Sequence, residues 1–86
     1  MPQAEIDRSF SRYNNFKSIQ LRILFADNRL GLGYVDEAMR VYLNAESGLT
    51  RLITDAKKAD DNRLLDMGTI LLGQLKVKMD KIAKRK

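Results

Sequence analysis

From Val35 to Ala56 the apolar residues return at intervals of three and four: Val35, Ala38, Tyr42, Ala45, Leu49, Leu52 and Ala56, with Met39 and Ile53 widening the stripe. That spacing follows the turn of an α-helix and not the alternation of a strand. It predicts one helix over about 34–56. A long helix with a single apolar face must bury that face against other elements, and no other segment shows strand alternation bounded by turn signals. The expected fold is all-α.

Two breaks divide the rest of the chain. Gly31-Leu32-Gly33 offers two glycines able to take positive φ and close a preceding helix, and Asp36 and Glu37 follow as acids suited to a first helical turn. The second break is Lys57-Lys58-Ala59-Asp60-Asp61-Asn62, where basic residues end one helix and Asp or Asn caps the next. A final helix over about 61–83 carries the stripe Leu65, Gly68, Leu72, Leu75, Met79 and Ile82, with Leu64 and Leu71 alongside, a width suited to two neighbours. Gly68 costs about 1 kcal/mol relative to Ala in helix propensity, so a close crossing of another helix is expected there. Before the first break, Phe16, Ile19, Ile23, Ala26 and Leu30 predict a helix over about 16–30, whereas Ile6, Phe10 and Tyr13 follow another register beyond Asn14-Asn15. Residues 4–13 therefore read as a short helical lead-in, bent at the asparagines or folded against the bundle. The expectation is one domain over 1–86: an antiparallel three-helix bundle with a short helical N-terminal lead-in, its main hairpin made by the middle and last helices.

The composition narrows the chemistry. A chain of 86 residues builds one modest core with no room for a deep catalytic cleft. Without Cys or His there is no disulfide framework, no zinc or haem site of the usual kinds, and the commonest general base near neutral pH is missing. Ser9, Ser11, Asp60, Asp61 and Asp66 lack the context of a nucleophile with its base or of converging carboxylates. Gly31-Leu32-Gly33 has neither the Lys-Ser/Thr of a phosphate loop nor the third glycine of a dinucleotide fingerprint. No catalysis, metal or cofactor is expected. The amino end is too polar for a secretory signal, and no apolar run nears the roughly 18 residues of a membrane span, so the chain reads as soluble and cytoplasmic.

The net charge of +5 is local. Residues 1–56 and 57–73 are each balanced, and the last thirteen carry Lys76, Lys78, Lys81, Lys84, Arg85 and Lys86 against Asp80 alone. Such an end favours an acidic partner, whether a peptide helix, nucleic acid, anionic lipid or the acidic tails of a cytoskeletal polymer. It equally suits a solvated helix end whose lysines face the negative pole of the helix dipole. On the same last helix, Ile70 and Val77 lie nearly opposite the main stripe, with Gly73 between them and Arg63, Lys81 and Lys84 around them. Leu21, Leu24 and Phe25 lie likewise off the stripe of the first helix. These residues either dock the lead-in or line a groove for an amphipathic helix.

Asp27, the glycine turn, and then Asp36-Glu37-Ala38-Met39-Arg40-Val41-Tyr42 with Ala45, Leu49 and Ile53 carry a resemblance. The stretch resembles the second-helix signature of MIT domains, the microtubule interacting and trafficking modules. Phe16-Lys17-Ser18-Ile19-Gln20-Leu21-Arg22-Ile23 and Arg63-Leu64 look most like the spastin-type branch, and the similarity covers about residues 14–83. It implies a non-catalytic three-helix module that binds C-terminal peptide helices of ESCRT-III subunits and recruits a parent AAA ATPase or trafficking effector to endosomal or other remodelling membranes. It also implies a groove between helices two and three or, in spastin-like members, between one and three, with Phe16 on its edge, although periodicity puts Phe16 on the core stripe. The peptide-binding set expected is Phe16, Leu21, Leu24, Phe25, Ile70, Gly73 and Val77, with Lys81 and Lys84 pairing with the ligand's acids. Association with membranes is then indirect, the domain is a monomer, and no small-molecule substrate is expected. The competing readings are a basic module binding microtubules or nucleic acid directly, and a self-associating structural bundle.

Overall fold

The computed structural model describes the backbone of residues 3–85 and the side chains of residues 10–84. Three helices follow one another, α1 (Gln3–Gly31), α2 (Val35–Lys58) and α3 (Asn62–Arg85), and there is no strand among the described residues. Short turns join them, so neighbours in sequence run antiparallel. The all-α three-helix bundle expected from the periodicity is the architecture observed.

Both turns close by the same hydrogen-bond pattern. At the first, Tyr34 N–H donates to the Arg29 carbonyl and Gly33 N–H to that of Leu30, with Gly33 at φ +92°. At the second, Asp61 N–H donates to Ala56 and Asp60 N–H to Lys57, with Asp60 at φ +55°. These paired bonds satisfy the last carbonyls of each helix and require one residue in the left-handed region. Gly33 takes that conformation freely and Gly31 stays helical; Asp60 is among the few non-glycine types that adopt it readily. Asp61 then accepts the Leu64 N–H through Oδ1 at 3.2 Å and caps α3.

Helix α2 is the middle layer. Ala38, Tyr42, Ala45, Leu49, Leu52 and Ala56 are all buried along it, and the small alanines let a helix approach from either side. Phe16, Ile19, Ile23 and Ala26 close on it from α1, and Leu64, Leu75 and Ile82 from α3. A Cβ added at Gly68 would meet Ile53 Cγ1 at 3.0 Å, so the glycine does mark a close crossing, of α3 over α2.

Three expectations change. Residues 4–13 are not a separate lead-in: α1 runs unbroken through Asn14-Asn15. Asn in a helix interior costs well under about 1 kcal/mol, both asparagines are exposed, and neither Pro nor Gly interrupts residues 3–30. Arg12 and Tyr13 lie half-buried, with Arg12 Nε 3.7 Å from Asp61 Oδ2 at the α2–α3 turn; Phe10 is exposed, and the Ile6 side chain lies outside the described residues. The more extensive hairpin is α1–α2, not α2–α3. Finally, Leu64 rather than Leu65 sits deepest on α3, a rotation of the stripe toward α2. Helices α1 and α3 both pack on α2 but scarcely on one another.

Candidate functional site

Because α1 and α3 flank α2 without closing on each other, a cleft of about 490 Å³ runs between them. Leu21, Ile23 and Leu24 of α1 face Leu71 and Gln74 of α3 across it, and Lys17 marks one rim. Lys78 and Asp27 form its other end. Lys78 Nζ donates to Asp27 Oδ2 at 2.8 Å, and the Tyr42 hydroxyl donates to Asp27 Oδ1 at 2.5 Å, so one carboxylate joins all three helices. Tyr42 is wholly buried. Burial raises its pKa well above the usual range, and the hydrogen bond to Asp27 and that carboxylate's charge push the same way, since each disfavours a phenolate. The phenol is therefore a permanent donor at neutral pH.

The other flank of α1 borders a second cleft, of about 710 Å³, toward α2. Leu21, Phe25 and Val41 supply its apolar surface, and Lys17, Arg22 and Arg40 its charge. Arg22 Nη1 donates across it to Asn44 Oδ1 at 3.1 Å. Above this cleft Arg29 lies over the rings of Phe25 and Tyr34, at 4.9 and 5.7 Å from their centroids, and 3.7 Å from Glu37. Leu21 is the crest between the two clefts and contributes to both.

The residues singled out by sequence do not form one surface. Leu21 and Leu24 line the α1–α3 cleft, with Leu24 62% exposed. Phe25, one residue on and about 100° around the helix, belongs to the α1–α2 cleft. Ile70, Gly73 and Val77 are exposed on α3 and line neither cleft; a Cβ at Gly73 would meet nothing within 4 Å. Lys81 borders a smaller recess beside Asp27 and Tyr42, and Lys84 is exposed. Phe16 is 4% exposed in the core, so the groove-edge role implied by resemblance does not match its position; the periodicity placed it correctly. Of the basic end, Lys78 turns inward to Asp27, and the side chains of Arg85 and Lys86 lie outside the described residues.

Sequence reasoning missed Lys78 as a site residue. The available signal was its position three residues after Leu75 and four before Ile82, which sets it beside the buried stripe rather than opposite it. Among the described residues no three acidic side chains gather as metal ligands, and no helix is long and apolar enough to cross a membrane. No family model, curated protein or solved structure matches this chain.

Proposed function

We propose that the domain is a non-catalytic interaction module whose α1–α3 cleft receives an amphipathic peptide helix, in the manner of the MIT domains its sequence resembles. The observation that carries this reading is the cleft itself: an apolar channel between two helices that share a common neighbour instead of packing together. Leu21, Leu24 and Leu71 offer seats for the apolar side chains of a docked helix, and Lys17 stands where an acidic flank would pass. The residues of the resemblance, Asp27, Ala38, Tyr42, Ala45 and Leu49, have a consistent role in this scheme. They hold α1 and α2 in register and keep Lys78 fixed at one end of the cleft.

The natural ligands on this reading are C-terminal helices of ESCRT-III subunits, and the domain brings an attached ATPase or effector to membrane-remodelling filaments. Exposed charge pairs at the rim contribute about 0–1 kcal/mol each, so affinity is set by a few leucine contacts and should be about micromolar. Titration of ESCRT-III tail peptides against wild type, Leu24→Asp and Val77→Asp tests the proposal. We expect Leu24→Asp to weaken binding about tenfold or more while Val77→Asp binds like wild type. Loss of binding in Val77→Asp alone would move the site to the outer face of α3, and no binding by any tail peptide would end the MIT reading.

A further inference from the structure

The α1–α2 cleft differs from its neighbour in charge. Lys17 and Arg22 on α1 and Arg40 on α2 lie along it, and no Asp or Glu lines it. Three other cations of the molecule stand beside acids: Lys78 with Asp27, Arg29 with Glu37 and Arg12 with Asp61. Lys17, Arg22 and Arg40 have no ion-pair partner among the described residues. Arg22 reaches across to the neutral Asn44 oxygen in an exposed hydrogen bond, which leaves its charge uncompensated. Between the two basic walls lies an apolar floor at the half-buried Val41, flanked by the exposed Phe25 and by Leu21 on the crest.

We propose that this cleft is a second binding site, on the other flank of α1 from the α1–α3 cleft and sharing Lys17 and Leu21 with it, for an acidic amphipathic peptide helix. Charge complementarity selects the occupant. From Asn14 to Phe25 the α1 wall extends about three helical turns, long enough for a docked helix to place apolar side chains at i, i+3 or i+4, and i+7 on Leu21, Phe25 and Val41. Carboxylates on one flank of that helix meet Lys17 and those on the other meet Arg40, while Arg22 exchanges the Asn44 oxygen for a peptide carboxylate as the helix enters. The two arginines present planar donor forks suited to carboxylates. A planar anionic membrane fits less well, because its headgroups reach the tips of the cations and leave the recessed Val41 uncovered. The cations steer the peptide and set its orientation, while the apolar floor holds it.

The probe is a synthetic peptide of about four turns with leucines at i, i+4, i+7 and i+11 and glutamates on both flanks. Controls are a scramble of the same composition, a version with lysine for glutamate, and vesicles of phosphatidylcholine with phosphatidylserine. Binding to the full chain is read by fluorescence anisotropy and by amide chemical shifts. We expect the acidic peptide alone to bind, to shift Arg22, Phe25, Arg40 and Val41, and to weaken as salt is raised. Arg40→Glu should reduce its affinity about tenfold while Leu24→Asp leaves it unchanged. Arg40 is exposed and unpaired, so the variant should keep its fold by circular dichroism, and Arg22→Glu provides a second variant on the facing wall. The proposal is overturned by no binding, by equal binding of the scramble, by binding that Arg40→Glu and Arg22→Glu both leave intact, or by vesicle binding without peptide binding. Shifts confined to Leu24, Leu71 and Lys78 also overturn it, while leaving the α1–α3 reading in place. Loss of ESCRT-III peptide binding with this site intact affects that reading alone.

Discussion

The two clefts beside α1 share Lys17 and Leu21 yet differ in how far their cations are compensated. Toward α3, the cation at the closed end, Lys78, is held by Asp27, and the surface between is leucine and glutamine. Toward α2, three cations stand without a carboxylate. One amphipathic helix thus presents two different surfaces because its core stripe faces α2 and leaves a flank free on each side. The difference teaches that exposed apolar residues on a helix have to be sorted by flank before they are read as a binding face. Leu24 and Phe25 are adjacent in sequence and belong to different clefts.

Removing the carboxylate that neutralises Lys78 should erase most of this contrast. Asp27→Ala leaves the buried Tyr42 hydroxyl without its acceptor and Lys78 without a counter-charge, and should lower unfolding free energy in urea by about 2 kcal/mol. In the same variant, peptide binding at the α1–α3 cleft should become as salt-sensitive as binding at the α1–α2 cleft; an unchanged salt slope would show that Asp27 does not set the charge there.

Tyr42→Phe is milder, because it keeps the ring in the core and the Lys78 pair in place. A loss of about 1 kcal/mol near pH 7 is expected. Its pH dependence carries more information. The wild-type phenol has its pKa raised on folding, so the associated stabilisation is complete below the unfolded value near 10 and is lost progressively as pH rises above it. Alkaline unfolding between about pH 10 and 12 should therefore be less steep in Tyr42→Phe than in wild type. Equal slopes would mean that the phenol is no harder to ionise folded than unfolded.

The smallest effect has the opposite sign. Gly73 sits on the exposed face of α3 with open space around its Cα, so Gly73→Ala should stabilise the domain by somewhat under about 1 kcal/mol and change binding at neither cleft. A measurable loss of affinity would return Gly73 to the ligand surface that the sequence suggested.

The α2 stripe was legible because its period is regular and its polar residues are confined to the far side; Ala38 through Ala56 are buried as the spacing requires. The cap at Asp61 and the left-handed glycine at the first turn were legible too, since each rests on local backbone chemistry. What could not be read was rotation and reach. Whether Leu64 or Leu65 lies deeper depends on how α3 rolls on α2, and both are apolar. The unbroken course of α1 through Asn14-Asn15 depends on what Arg12 and Phe16 find on either side of the asparagines, at Asp61 and in the core. The Asp27–Lys78 pair joins positions 51 residues apart, beyond any spacing rule for a helix.

The arrangement of both outer helices on α2 has a thermodynamic consequence for anything that docks between them. A ligand that must pry apart packed helices gives back their burial energy before it gains its own. Here the α1 and α3 faces that line the cleft scarcely meet, so a helix docking there would displace solvent and not packed protein. Much of its contact energy would remain available for affinity, because the walls of the channel are in place beforehand.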